Sequence, residues 1–399
     1  MKIFRTVFVV MTGLSFSAMA QQAPPTFLLD GATLAASKAA IAQHDPVKEQ
    51  ALKALLVAAD RALTNGPYAV TFKSKLPPSG DKHDYMSVGP YWWPDSTKAN
   101  GLPYIRRDGV VNPERYSIKD DAFYNSLCRD VQTLGLAWYF TGDKKYADKA
   151  AALLRTWFLD PATRMNPHLN YGQAIPGITE GRGIGLIDTH IITSLIDGIQ
   201  LLKGSPALTA DTYEGIQQWY RSFLSWMRTS PIGKDEADEK NNHGTWYDVQ
   251  AVAIALFTQQ PDLARQMLKE QTQERIRSQF AADGSQPLEL ARTLSWNYSY
   301  FNLEAFFELA MMAEKVQVDL WHYESTDKRS IRQAFAWMLP FATGSRTWEH
   351  QQIKPIHIGE YAALAIVAEK KYPELDLAPL WKLYPKTPGY ACILTGWGE

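Results

Sequence analysis

The sequence predicts an all-α protein: an (α/α) toroid, or incomplete barrel, of antiparallel helical hairpins with long cleft-forming loops. Three observations predict it. Apolar residues recur on a 3.6-residue period nearly everywhere after the first twenty positions. Alternating β patterns are nearly absent, and short breakers join one helical stretch to the next. No repeat of fixed period stands out, which argues against a standard solenoid. Periodicity alone does not separate a toroid from a large bundle; the toroid is preferred.

Taken in order, residues 1–20 read as a secretory leader. Lys2 and Arg5 charge its start, Val7 to Ala18 form the apolar run, and Ala18-Met19-Ala20 is a small-x-small cleavage site. The run is too short to span a bilayer, which needs about 20 apolar residues. An exported, periplasmic address is expected, without membrane insertion, and residues 21–399 are expected to form one toroidal domain.

Helical patterns then cover 34–64, 121–141, 184–203, 245–259, 261–280, 297–315, 329–340 and 356–370. Two more are plain in the stripes Tyr146, Ala150, Leu153, Leu154, Trp157 and Tyr213, Ile216, Trp219, Tyr220, Phe223, Leu224, Met227. Breakers such as Thr141-Gly142-Asp143 and Gln260-Pro261-Asp262 suit helix starts. Lys234 to Lys240 reads as a charged loop. Residues 73–118 and 159–183 refuse the pattern. Irregular stretches of that length often carry function.

Composition excludes some classes. Lys plus Arg total 41 against 42 Asp plus Glu, a net charge of −1, where a nucleic-acid binder should be clearly basic. Cys128 and Cys392 are too few for a disulfide framework or a thiolate zinc site; one disulfide and two buried thiols both stay open. Thirteen Trp, 19 Tyr and 16 Phe fit either a packed core or a sugar-stacking cleft.

Three clusters carry candidate chemistry. Asn241-Asn242-His243-Gly244-Thr245-Trp246-Tyr247 opens a helix, where backbone N–H groups favour anions. In Asp283 to Arg292, residues Gln286, Glu289 and Arg292 recur every three positions and would share one side of a helical turn; Trp296-Asn297-Tyr298-Ser299-Tyr300 follows. A surface Glu289–Arg292 pair would be worth little. The third is His83-Asp84-Tyr85 with Tyr91-Trp92-Trp93-Pro94, whose adjacent tryptophans suit a sugar platform. No serine elbow, phosphate loop or paired-histidine metal motif is present.

A His, a Tyr, an Arg and an Asn are what β-elimination on a uronic acid needs. Removing the C5 proton builds negative charge onto a carboxylate, which an Arg or amide must neutralise. A His or Tyr takes the proton, and a Tyr hydroxyl protonates the leaving O4. No metal or organic cofactor is required.

At these residues the sequence resembles the alginate lyase superfamily of helical-toroid polysaccharide lyases. The matching stretches are Pro78 to Tyr85, Gly89-Pro90-Tyr91-Trp92-Trp93-Pro94-Asp95, Gly101 to Gly109, Arg164-Met165-Asn166-Pro167, Asn241 to Trp246 and Asp283 to Thr293. The similarity covers most of the chain from about residue 65 to 345. The Asn-Asn-His-Gly-Thr-Trp form is more similar to polysaccharide lyase family 38 than to the family 5 bacterial alginate lyases. The resemblance implies an open-clefted toroid acting on an anionic polysaccharide, alginate with poly-mannuronate ahead of poly-guluronate. It implies that Asn242 and Arg292 neutralise the carboxylate and that His243 is the base or assists it. Tyr298 would be the acid, or both base and acid in a syn elimination. Family 5 relatives lead one to expect Arg and Tyr seven residues apart, a place held here by Ser299, so Tyr300 competes with Tyr298.

Substrate contacts are expected from Lys73, Lys75, Tyr85, Trp92, Gln173, Arg182, Trp246, Gln286, Glu289 and Tyr300. Within the class, a glucuronan lyase is the alternative. From other classes, a glycoside hydrolase would need two facing carboxylates, for which Glu289 and Asp188 are the pair available, and a periplasmic glycan-binding protein would bind without turnover.

Overall fold

A computed structural model describes residues 23–384 and 389–397 of the chain; the leader expected at 1–20 lies outside them. Helices open where the sequence supplies caps. Asp30 and Asp45 accept backbone N–H bonds at the starts of α1 (Gly31–Ala42) and α2 (Pro46–Ala62). The 34–64 pattern is therefore two helices, because Asp45-Pro46 begins a new one. α3 (Asp120–Thr141) stops at Gly142, whose φ of 71° suits a residue without Cβ, and Asp143 caps α4 (Lys144–Phe158). The 184–203 stretch is a 3-10 turn, Gly183–Thr189, leading to α5 (Ile192–Leu201). Length and composition alone would let Gly183–Leu201 cross a membrane, yet it is mostly buried inside the protein. It behaves as a core helix.

α6 (Ala210–Thr229) follows, capped by Thr209. The charged stretch after it is not a loop. Ser230 caps α7 (Pro231–Asp238), which carries Lys234 and Asp235 outside and buries Glu236. α8 (Asn242–Phe257) comes next, then α9 (Pro261–Met267), a π turn at Leu268–Thr272 and α10 (Gln273–Gln279). The single turn α11 (Pro287–Leu290) precedes α12 (Ser295–Glu314), α13 (Ile331–Ala342), α14 (Gly359–Lys371), α15 (Ala378–Leu383) and α16 (Tyr390–Thr395).

Neighbours pack in sequence, α3 on α4, α6 on α7 and α7 on α8, and α8 lies along α12 in the α/α toroid. One apolar core is continuous from Ala59 to Leu380, and a smaller one holds α1, α2 and α16 together. α3 and α5 touch backbone to backbone: a Cβ on Gly135 would sit 2.7 Å from the Gly198 carbonyl oxygen. Any larger residue there must force the two helices apart. Cys128 and Cys392 are both buried and free, so they do not pair.

The two irregular stretches hold the strands. β1 (Met86–Val88) pairs in parallel with β4 (Tyr171–Ala174), with a register shift between Met86 and Val88. β2 (Trp92–Trp93) pairs antiparallel with β3 (Ile105–Arg106). The first pairing fastens one long stretch to the other. Together they stand over the start of α8 as a wall.

Candidate active site

A cleft of about 660 Å³ opens between this wall and the helix starts. Asn242, His243, Arg292 and Tyr298 all line it, with Trp92, Gln173 and Arg182 from the wall. The start of α8 is built with care. The Asn241 side chain accepts from the His243 backbone N–H at 2.9 Å. Asn242 donates to both Glu289 carboxylate oxygens, from its backbone N at 2.6 Å and from Nδ2 at 2.7 Å. That fork fixes the amide and leaves its second Nδ2 hydrogen, a donor, for the cleft.

His243 is 14% exposed and meets a buried carboxylate, Nδ1 lying 2.8 Å from Oε1 of Glu236. Burial opposes charge on the imidazole, but the Glu236 carboxylate outweighs it, so the ring titrates above its ordinary value. Burial likewise pushes Glu236 up against the pull of His243. With Nδ1–H held by Glu236, the ring's other nitrogen, Nε2, is left for the cleft.

Arg292 and Tyr298 form a second unit. The guanidinium grips Asp108 with two bonds, Nε to Oδ2 at 3.1 Å and Nη2 to Oδ1 at 2.7 Å. Its carbon sits 3.7 Å from the Tyr298 ring centroid, a close cation–π approach. The Tyr298 hydroxyl donates to the Tyr91 hydroxyl at 2.8 Å. Burial, with Tyr91 beside it, pushes the phenol well above the ordinary tyrosine range despite Arg292. Burial also works against the Asp108 carboxylate, but Arg292 and Thr293 hold it well below the usual range. The phenol is therefore neutral and the Arg–Asp pair charged.

On the wall, Arg182 lies over the Trp92 ring at 5.9 Å. It donates to the Gln173 backbone oxygen at 3.1 Å and to Gln173 Oε1 at 2.9 Å. Gln173 passes the link to Asp188, Nε2 to Oδ1 at 2.9 Å. It holds a φ of 49°, uncommon for a residue with a side chain. The half-buried His190, its Nδ1–H on the Ile187 carbonyl at 2.8 Å, is pushed down to about 4 by burial and lies along the cleft as a neutral ring.

Several residues expected to touch substrate do not reach the cleft. Lys73 is locked in a buried ion pair with Asp120 at 2.8 Å, the two side chains 2% and 1% exposed. It sits inward because it also satisfies the Val70 and Lys82 carbonyls. Lys75 is exposed but outside the cleft lining. Tyr85 is fully buried and donates to Asp188 at 3.0 Å. Trp246 packs beneath, against Phe301 and His190. Gln286 is buried and spends its amide on the Ser299 carbonyl and Asn302. Glu289 is the buried support of Asn242, not half of an exposed pair with Arg292.

The two tyrosines separate cleanly. Tyr298 lines the cleft, whereas Tyr300 lines a neighbouring depression and donates to Glu304 at 2.9 Å. The carboxylates weighed for a hydrolase are both occupied: Glu289 by Asn242, Asp188 by Tyr85, Ser87 and Gln173. Sequence reasoning missed Glu236, Asp108 and Tyr91. Tyr91 and Asp108 stood inside quoted motifs; Glu236 was hidden in a run of charge whose only helical signal is Ser230-Pro231.

Among the described residues, no group of three or more His, Cys, Asp or Glu side chains is placed to hold a metal. The Alginate lyase family model matches residues 69–348. Among solved structures, an alginate lyase from Bacteroides ovatus is 39% identical, with 93% of this chain and 99% of that one covered and a TM-score of 0.88. Alginate lyase A1-III from Sphingomonas species A1 is 17% identical over 86% of this chain and 94% of that one, at a TM-score of 0.56. A variant of alginate lyase A1-III complexed with tetrasaccharide is 17% identical over 96% and 99%, at 0.61. These last two carry the fold alone. No curated protein matches the chain.

Proposed function

We propose that this chain, which belongs to the alginate lyase family, is a polysaccharide lyase that cleaves alginate by β-elimination. The observation that carries the reading is the convergence of Asn242, His243, Arg292 and Tyr298 on one cleft. Asn242 and Arg292 meet the uronate carboxylate, on which charge grows as C5–H breaks. His243 Nε2 takes the C5 proton. The C5–H electron pair becomes the C4–C5 double bond, the C4–O4 bond breaks, and the Tyr298 hydroxyl protonates O4. Glu236 supports the base by holding its far nitrogen, and the neutral Tyr298 phenol is ready to donate.

Poly-mannuronate ranks ahead of poly-guluronate. Its C5–H and C4–O4 lie on one face of the ring, so a single side chain on that face can serve both atoms. A second reading makes Tyr298 both base and acid; the guanidinium against its ring favours it, because it would stabilise a phenolate. Glucuronan is the other polyuronate to test. The hydrolase reading is the weaker one, since its two carboxylates are occupied within the protein.

Finer points complete the proposal. The Asn241 to Trp246 motif supports polysaccharide lyase family 38, the continuous core supports one domain over 21–399, and the first twenty residues support export to the periplasm. N-terminal sequencing of secreted protein checks the last.

The direct test follows ultraviolet absorbance of the unsaturated product on poly-mannuronate, poly-guluronate and glucuronan with EDTA present. A rise fastest on poly-mannuronate is expected. A flat trace on all three, with no reducing ends released, would leave a glycan-binding protein.

A further inference from the structure

Beside the cleft lies a second depression of about 540 Å³, sharing Tyr91, Tyr298 and Phe301 with it. Tyr298 thus stands between two open spaces. The rim of the second one carries Lys354 and His357, both exposed and outside the residues 69–348 matched by the family.

This rim is fixed to the same helix start that carries Tyr298. The Ser295 N–H donates to the Gln351 carbonyl at 3.2 Å, and the Ile353 N–H to the Thr293 carbonyl at 3.0 Å. Gln352 accepts from the Trp296 N–H at 3.1 Å and donates to Asn297 Oδ1 at 2.7 Å. The same Gln352 Nε2 donates to the Lys354 carbonyl at 3.1 Å, which sets the direction in which the chain leaves. Lys354 enters no ion pair among the described residues. Of the acids lining the space, Glu304 accepts from Tyr300, and Glu360 lies on α14.

We propose that this depression binds the uronate on the far side of the cut bond, with the Lys354 ammonium against that sugar's carboxylate. The inference rests on elimination occurring at Tyr298, as proposed above. A polymer cut at Tyr298 must continue past it, and this depression adjoins Tyr298 beside the cleft. A cation positioned there meets each repeat of a polyanion in the same way. Because space is open on both sides, cleavage falls within chains rather than at one end.

Lys354→Ala, Lys354→Arg and a distant control, Lys53→Ala, are compared on poly-mannuronate. For Lys354→Ala the polymer KM should rise about five- to tenfold with kcat little changed, the loss of one charge-assisted contact. Lys354→Arg should recover most of it, and Lys53→Ala should match wild type. In parallel, calorimetry measures saturated mannuronate oligosaccharide binding to Tyr298→Phe and to Tyr298→Phe/Lys354→Ala. An active enzyme whose KM and oligosaccharide affinity ignore Lys354 would overturn the subsite and leave the lyase standing. A chain inactive on every polyuronate, yet losing oligosaccharide affinity with Lys354, would overturn elimination and keep the anion site. Products released only as one terminal fragment size would overturn cleavage within chains.

Discussion

Replacing Tyr298 by Phe removes one oxygen and leaves everything else in reach. The ring stays, so the Arg292 guanidinium keeps its seat 3.7 Å from the centroid and its fork on Asp108. The lost contact is a single neutral hydrogen bond to Tyr91, 2.8 Å long and half-buried. Its net worth to folding is about 1 kcal/mol, and Tyr91 can turn to water in the open cleft. A general acid contributes roughly 10²- to 10⁴-fold to rate, equal to about 3 to 5 kcal/mol of barrier. The catalytic loss should therefore exceed the stability loss several times over. The assay pairs product absorbance on poly-mannuronate with thermal unfolding of the same sample. Tyr300→Phe is the companion, losing its bond to Glu304 on the other side of the helix while keeping kcat. A Tyr298→Phe enzyme with near-wild-type kcat would refute the assignment. If Tyr300→Phe carried the loss instead, the acid would be the other tyrosine.

Three further outcomes follow from the same geometry. Arg292→Lys keeps the charge but breaks the two-bond fork and the ring contact, so kcat should fall about 10²-fold with a smaller change in KM; steady-state kinetics on the polymer checks it. Glu236→Gln withdraws the carboxylate that raises the His243 titration. The acid limb of kcat/KM, where the base becomes deprotonated, should then move to lower pH, whereas movement of the alkaline limb would mean that the imidazolium form works. Lys73→Ala leaves Asp120 buried without its partner, which should cost about 3 to 5 kcal/mol of stability and lower the melting temperature. Oligosaccharide affinity should not change, and a raised KM in a fully folded variant would return Lys73 to the cleft.

The helical stripes of α4 and α6 were legible because each turn repeats the same demand: one face must be dry. Asp143 told where α4 begins. α7 was not legible, since seven charged or small residues around Glu236 hide the one position that matters, and its burial is set by α8 and the Gly183 turn rather than by its own neighbours. The strands β1 and β4 are three and four residues long and lie far apart in sequence, so no local alternation announces them. At the site, motifs located the region, and Asn242, His243, Arg292 and Tyr298 do meet there. What they could not give was depth. Lys73, Tyr85, Gln286 and Glu289 sit in or near the same motifs but hold other side chains in position. A polar group facing substrate and one facing its support look alike until the chain is folded.

The pairing of β1 with β4 has a kinetic meaning. A free loop carrying Trp92 would have to be ordered each time a polymer arrived, and its closing could set the pace of turnover. Here that segment is already stitched to its neighbour and tied through Arg182 and Gln173 to a buried carboxylate. The entropy of ordering it is settled during folding, not at each encounter. Capture of substrate should then show one concentration-dependent phase in stopped flow, without a slow isomerisation after it, and its rate should fall with added salt as the polyanion's attraction is screened.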